Sequence, residues 1–240
     1  MPQRASILAT DIAQAVDTLG SATVPRVRSP AAFATLEAAL PPGWSPRGAA
    51  GLRGLAAAAP PVAAVAHGED LLALVRPLLG PQTRLVRSIL FVKTPTCNWQ
   101  VAWHQDLTIT VAAKAEVAGF GNWSIKATGI HVQPPETVLQ GMVTVRLHLD
   151  ETDAHNGALW VAPKSHHMGR IPAAAAAHRA RQHDPHACPV STGGALVMRP
   201  LLLHASFKAT APRPRRVIHL EYAAGELPNP LRWAEDGGAG

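Results

Sequence analysis

His104 and Asp106 stand two residues apart in the stretch WHQDL, residues 103–107, inside a run that reads as a strand. Side chains of a strand alternate between its faces, so this spacing predicts that His104 and Asp106 point the same way and Gln105 the other. An imidazole and a carboxylate side by side are two thirds of the 2-His-1-carboxylate set that holds non-haem Fe(II) with open positions. The pair needs a second histidine, and the chain has 12 histidines to offer. His166, His167, His178, His183 and His186 lie in polar surroundings and read as solvated. His131, His148 and His219 sit among strand residues and read as satisfied strand histidines. His204 differs, because it ends the apolar run Leu201-Leu202-Leu203 and is followed by the small residues Ala205 and Ser206.

Arg215 begins another strand-like run shortly after His204. Iron held by His104, Asp106 and His204 would keep three positions open, two for a 2-oxo acid and one for O2. The far carboxylate of that acid would need a partner in a partly buried pocket, and a planar guanidinium meets it bidentately where an ammonium does not. Arg215 is placed for this, and Ser206 for a further hydrogen bond; Arg216 should face the other side of the strand. The same ligand types also suit a zinc hydrolase, or a binding protein without turnover, but in a hydrolase Arg215 and Ser206 would lack a purpose.

These residues need a scaffold. Leu8, Ile12, Val16 and Leu19 recur at helical spacing over residues 7–19, with Gly20 as the stop. Residues 21–27 read as a short strand, and Ser29 with Pro30 as the cap and first turn of a second helix. Residues 41–54 read as loop, and residues 62–79 as one or two helices buried through Leu71, Leu72, Val75 and Leu78. From Thr83 the pattern changes to strands over 84–93, 100–111, 138–151, 157–163, 194–206 and 215–223, with a helix over 173–183. Several short strands separated by turn residues indicate a β-sandwich or barrel.

Composition bounds the rest. The 240 residues, 47% hydrophobic, suit one domain with a real core. The net charge of +6 is compatible with an anionic partner, but Lys and Arg are scattered without a run, which argues against nucleic acid. Cys97 and Cys188 make neither a disulfide scaffold nor a zinc motif, and no apolar stretch has membrane-span length. The expectation is a cytoplasmic chain with a small-molecule substrate, its oligomeric state unreadable.

The ordered motifs resemble the iron(II)/2-oxoglutarate-dependent dioxygenases, and more narrowly the phytanoyl-CoA dioxygenase family. FVKTP (91–95) stands where that family has a strand lysine near the co-substrate. NWQVAWHQDL (98–107) resembles its metal strand, RLHLDETDAHNGALWVAPKSH (146–166) its strand, Asn-Gly turn and Pro-Gly-Ser-His segment, and HASFKATAPRPRRVIHLEY (204–222) its final His-x-Ser…Arg segment. The likeness runs from about residue 10 to residue 223.

The resemblance implies a mainly β fold, a double-stranded β-helix (jelly-roll, cupin-like) core with flanking helices, in a single domain 1–240. Residues 1–82 would be its helical part, 83–223 the core and 224–240 a tail. It implies Fe(II) on His104, Asp106 and His204, with 2-oxoglutarate as co-substrate on Arg215, Ser206 and Lys93, and O2 as oxidant. The activity implied is hydroxylation of an unactivated C–H bond, releasing succinate and CO2. Asp106 stands where related halogenating enzymes carry a small residue, which favours hydroxylation. Two departures stand out. Lys164 replaces the glycine of Pro-Gly-Ser-His, and Arg146 stands where relatives carry an aromatic, so it is expected to bind 2-oxoglutarate or an anionic substrate. Asn98, Trp103, Gln105, Leu107 and Trp123 are candidates for lining the substrate pocket, Trp99 and Trp160 for the core, and the long insert 112–137 for a lid.

Overall fold

The computed structural model describes residues 2–27, 30–38, 40, 51–126, 129–211 and 213–235. Helix α1 (Pro2–Leu19) ends at Gly20, whose φ of 90° continues the chain in a left-handed turn. Its buried stripe includes Ile12 and Val16, whereas Leu19, expected inside, is exposed. Strand β1 (Ser21–Val24), helix α2 (Pro30–Ala38) and strand β2 (Gly51–Arg53) follow. The predicted cap Ser29 lies outside the described residues, and β2 falls inside the stretch expected to be loop. The helical stretch divides into α3 (Leu55–Ala58), α4 (Pro60–Ala66) and α5 (Glu69–Leu79). Leu74 and Leu79 join Leu71, Leu72 and Val75 in the buried stripe, and Leu78 is only half-buried.

The β part begins with β3 (Thr83–Lys93). The run 100–111 is not one strand: β4 (Val101–His104) ends at the histidine, Gln105–Thr108 is loop, and β5 (Ile109–Val111) belongs to another sheet. Next come β6 (Gly121–Lys126), β7 (Gly129–Gln133), α6 (Glu136–Gln140), β8 (Met142–His148) and β9 (Leu159–Val161). A 3₁₀ turn (Ser165–Met168), α7 (Ala173–Arg181) and β10 (His186–Cys188) lead to β11 (Ala195–Met198), β12 (His204–Ser206) and β13 (Arg215–Ala224). The run 194–206 is thus two strands, because Pro200 lacks the N–H a ladder needs and a turn intervenes.

Six antiparallel strands form the larger sheet, in the order β1-β11-β8-β13-β3-β2, and four form the smaller, β10-β9-β12-β4. Their inner faces meet across a cavity, as in a jelly roll. All seven residues of β8 are buried, since the strand is covered on both sides. Val143, Val145 and Leu147 pack with Ile218, Leu220 and the helices, while Thr144, Arg146 and His148 alternate onto the inner face. Burying the outer face of this sheet under α1 and α5 supplies much of the fold's apolar stabilisation.

The insert 112–137, expected to act as a lid, supplies β6 and β7, which join β5 in a three-stranded sheet, β5-β7-β6. The segment after residue 223 packs against it rather than trailing as a tail: Leu227, Leu231 and Trp233 are buried with Ile109, Val111, Phe120 and Val132. Ala112 N–H donates to Arg232 O at 3.0 Å and Ala234 N–H to Thr110 O at 3.2 Å. No helix among the described residues is long and apolar enough to cross a membrane.

Tyr222 is fully buried, and its hydroxyl donates to Ala66 O at 2.8 Å, tying α4 to the larger sheet. Tyr222→Phe leaves that carbonyl without its partner, and urea denaturation should show a loss of about 1–2 kcal/mol.

Candidate active site

In the smaller sheet His204 lies directly opposite His104. Each imidazole is fixed by the carbonyl two residues before it: His104 Nδ1–H donates to Ala102 O and His204 Nδ1–H to Leu202 O, both at 2.8 Å. A carbonyl only accepts, so both Nδ1 atoms carry the proton and both Nε2 lone pairs are free. Those lone pairs face Asp106, with His104 Nε2 3.8 Å from Oδ1 and His204 Nε2 3.6 Å from Oδ2. The three ligand atoms lie within 4.8 Å of one another, and no other such group of His, Cys, Asp or Glu occurs among the described residues. Two imidazole nitrogens and one carboxylate oxygen on one side of a cavity are the donor set that suits Fe(II).

Asp106, expected on the strand, lies in the loop after it. Three successive carbonyls of the turn before β12 set that loop. Pro200 O accepts from Asp106 N–H at 2.9 Å, Leu201 O from Gln105 Nε2 at 2.6 Å, and Leu202 O from His204. Gln105 also donates to Gly169 O and accepts from Ile171 N–H, both at 2.8 Å. Its amide is spent on backbone rather than on the cavity. Burial alone would raise the Asp106 carboxyl, but His204 and His104, with His219 and Arg87 further off, pull it down to about 2. Burial, partly offset by Asp106, lowers His204 to about 4, so it is neutral near pH 7 and able to bind a metal.

The inner face of β13 carries Arg215, Val217, His219 and Glu221 in turn. Lys93 of β3 lies directly opposite Arg215. Both are about 1% exposed, and neither forms an ion pair among the described residues. Like charges opposite one another in a sheet are destabilising, and buried ones more so. Lys93 Nζ donates to Ser206 Oγ at 3.0 Å and to Phe207 O at 2.7 Å. Arg215 Nη1 donates to Gly157 O, while its Nε and Nη2 are buried without a partner. Gly157 has φ 86°, and a Cβ there would stand 3.1 Å from Lys93 Nζ, so the turn residue also leaves room for the amine. An orphaned guanidinium edge beside an ammonium is a cradle for a carboxylate, and these residues fit 2-oxoglutarate. Burial, Arg215 and Arg146 together lower Lys93 to about 7; burial and Arg146 lower Arg215 to about 9.

The cavity between these groups is lined by both sheets and includes His104, Asp106, His204, Ser206 and Arg146. Arg146 Nη1 donates to His219 Nδ1 at 3.0 Å, His219 Nε2–H donates to Glu221 Oε1 at 3.0 Å, and Arg87 Nη1 donates to the same oxygen at 3.2 Å. His219, read as a strand histidine, and Glu221 therefore belong to the site. The alternation that set Arg215 inward would have placed both with it. Trp99, expected in the core, lines the cavity with Phe91. The candidates Asn98, Trp103, Gln105, Leu107 and Trp123 do not line it. Asn98 holds the backbone of Ala209 through two bonds, and Trp103 packs edge-on against Phe207. Leu107 and Trp123 pack with the three-stranded sheet. Lys164 keeps the φ of 66° that the missing glycine would favour, so the turn survives the substitution. Arg216 faces outward onto Asp150 and Glu37, as expected.

The sequence pattern of the phytanoyl-CoA dioxygenase (PhyH) family matches residues 51–217, most of the chain. The chain belongs to this family. It is a 2-oxoglutarate-dependent non-haem iron oxygenase, using Fe(II), 2-oxoglutarate and O2. Nothing among curated proteins matches. Among solved structures, EctD from S. alaskensis in its apoform is similar at 22% identity with TM-score 0.68, covering 91% of this chain and 78% of EctD. SnoK, a non-heme alpha ketoglutarate dependent carbocyclase from nogalamycin biosynthesis, is similar at 16% identity with TM-score 0.71, covering 92% and 86%. The epimerase SnoN, solved with Fe3+, alpha ketoglutarate and nogalamycin RO, is similar at 17% identity with TM-score 0.68, covering 90% and 84%. At these identities the likeness shows the jelly-roll fold.

Lys93 gives a test of the buried cations that needs no ligand. Its pKa is about 7 in the folded chain, against 10.5 for an ordinary lysine, so between those values the unfolded chain holds more protons and stability rises with pH. The cost of the buried ammonium is full below the lower value and relieved as pH climbs. Denaturation near pH 6 and near pH 9 should show a smaller rise in Lys93→Met than in the native chain.

Proposed function

We propose that the protein hydroxylates an unactivated C–H bond of a small-molecule substrate, converting 2-oxoglutarate and O2 to succinate and CO2 as the substrate R–H becomes R–OH. The observation that carries this reading is the buried pair Lys93 and Arg215, two cations without a counter-ion among the described residues, beside the His104, Asp106, His204 cluster. His104 and His204 would hold Fe(II) through Nε2 and Asp106 through a carboxylate oxygen. The bound metal and co-substrate supply O2 activation. Arg215 would take the far carboxylate of 2-oxoglutarate through Nε and Nη2, with Lys93 and Ser206 closing the same end. Arg146 borders the cavity from β8 and would hold charge near the metal. Ile89, Phe91, Val101 and Leu159 supply apolar walls that exclude water.

A zinc hydrolase or a binding protein without turnover would have no use for two buried cations aimed at a dianion. The carbocyclase and epimerase named above share this fold with other outcomes, so hydroxylation rests on where the substrate C–H is held. Cys97 and Cys188 are both free thiols, in keeping with a cytoplasmic setting.

The test is anaerobic loading with Fe(II) and 2-oxoglutarate, then exposure to air and assay for succinate. Slow succinate release is expected even without substrate, and none with any candidate pool would sink the reading. Arg215→Ala should weaken 2-oxoglutarate binding by at least about tenfold, one lost charge-assisted contact, while Fe(II) affinity stays within about twofold. Equal loss of both would mean that another residue anchors the co-substrate.

A further inference from the structure

The cavity has two charged ends. At one end Ser206 lines it, with the buried Lys93 and Arg215 behind; at the other stand Arg53 of β2 and Arg87 of β3, both half-buried. Lys93 lies six positions beyond Arg87 on β3, about 20 Å of strand. One 2-oxoglutarate cannot span that distance. The metal-ligand cluster opens onto the cavity between the two ends.

Over the cavity as a whole the charges do not balance. Three guanidinium groups line the cavity (Arg53, Arg87 and Arg146) against two carboxylates, Asp106 and Glu221. A bound metal dication and a 2-oxoglutarate dianion would cancel one another, and Lys93 and Arg215 add to the surplus. Glu221 Oε1 is already shared between His219 and Arg87. Arg53 forms no ion pair among the described residues, and the Nε atoms of both Arg53 and Arg87 are buried without a partner. The surroundings respond to this field. His131 is held down to about 4, first by burial and then by Arg87, Lys126 and Arg53, with Glu221 opposing. A buried, unpaired donor costs free energy that a matching acceptor would recover.

We propose that Arg53 and Arg87 form a subsite for an anionic oxygen group, a carboxylate or a phosphate, on the substrate itself. This deepens the oxygenase reading above and rests on it. The substrate is held by its charged end at the cavity mouth, and its reacting carbon lies inward against the apolar walls. Arg87 is steadied by Glu221 and His219, and Arg53 closes on the anion from the edge strand.

The test titrates hexanoate, hexyl phosphate, hexanol and hexylamine into the oxygen-free protein saturated with Fe(II) and 2-oxoglutarate, by calorimetry. At least one anionic probe should bind about tenfold or more tighter than the alcohol and the amine, and the better of the two identifies carboxylate or phosphate as the group recognised. Arg53→Gln should erase most of that preference, Arg53→Lys should keep part of it, and Arg26→Gln, an exposed arginine elsewhere, should leave it intact. No binding by any probe, equal binding of anion and alcohol, displacement of 2-oxoglutarate by the anions, or an unchanged preference in Arg53→Gln would each overturn the proposal. Failure of the native protein to take up Fe(II) and 2-oxoglutarate would overturn the parent reading instead, so the two failures are distinct.

Discussion

Three successive carbonyls in one turn hold the site together. Pro200, Leu201 and Leu202 present their oxygens to Asp106, Gln105 and His204 in that order. The turn thereby fixes a carboxylate in a loop and an imidazole on a strand relative to each other, although almost a hundred residues of sequence lie between them. It also decides the tautomer of His204, and with it which nitrogen faces the carboxylate. The apolar run Leu201-Leu202-Leu203 is buried beneath, so the carbonyls cannot turn to solvent without exposing it. Hydrophobic burial and the aim of the ligands are here one constraint.

The larger sheet does the complementary work. Its outer face is aliphatic and covered by helices, and its inner face bears arginine, lysine, histidine and glutamate. A sheet can carry such a face only if something recovers the desolvation cost of the charges. Toward the outer end the chain supplies part of that, through the path Arg146–His219–Glu221–Arg87, and leaves the Nε atoms of Arg53 and Arg87 without an acceptor. Toward the closed end it supplies only Ser206 Oγ and backbone oxygens, and the remaining donors wait on an anion. The donors left unpaired at each end, rather than the cations as such, mark where an anion is to be met.

Much of this was legible in the chain. The order of the motifs led to the His104, Asp106, His204 cluster and strand alternation to the inward Arg215. The break between His104 and Asp106 was not legible, since it depends on Pro200 O, a partner remote in sequence. His219 and Glu221 were within reach by counting in twos from Arg215, but a histidine among strand residues is ordinary and carries no signal of its own. Arg53 lay in a stretch without periodicity, where only the pairing of Gly51–Arg53 onto β3 gives it a place. The candidates Asn98, Trp103, Gln105 and Leu107 do not line the cavity, because closeness in sequence to a ligand does not fix which way a side chain turns. Leu107 and Trp123 went to a second core that the C-terminal segment completes.

Lys93 carries a further chemical consequence. An amine whose pKa lies near neutrality is a nucleophile toward ketones as well as a donor of hydrogen bonds. The bonds from Nζ to Ser206 Oγ and Phe207 O hold the amine against the wall at the closed end. Held there by two acceptors, the amine is directed to hydrogen bonding rather than to attack.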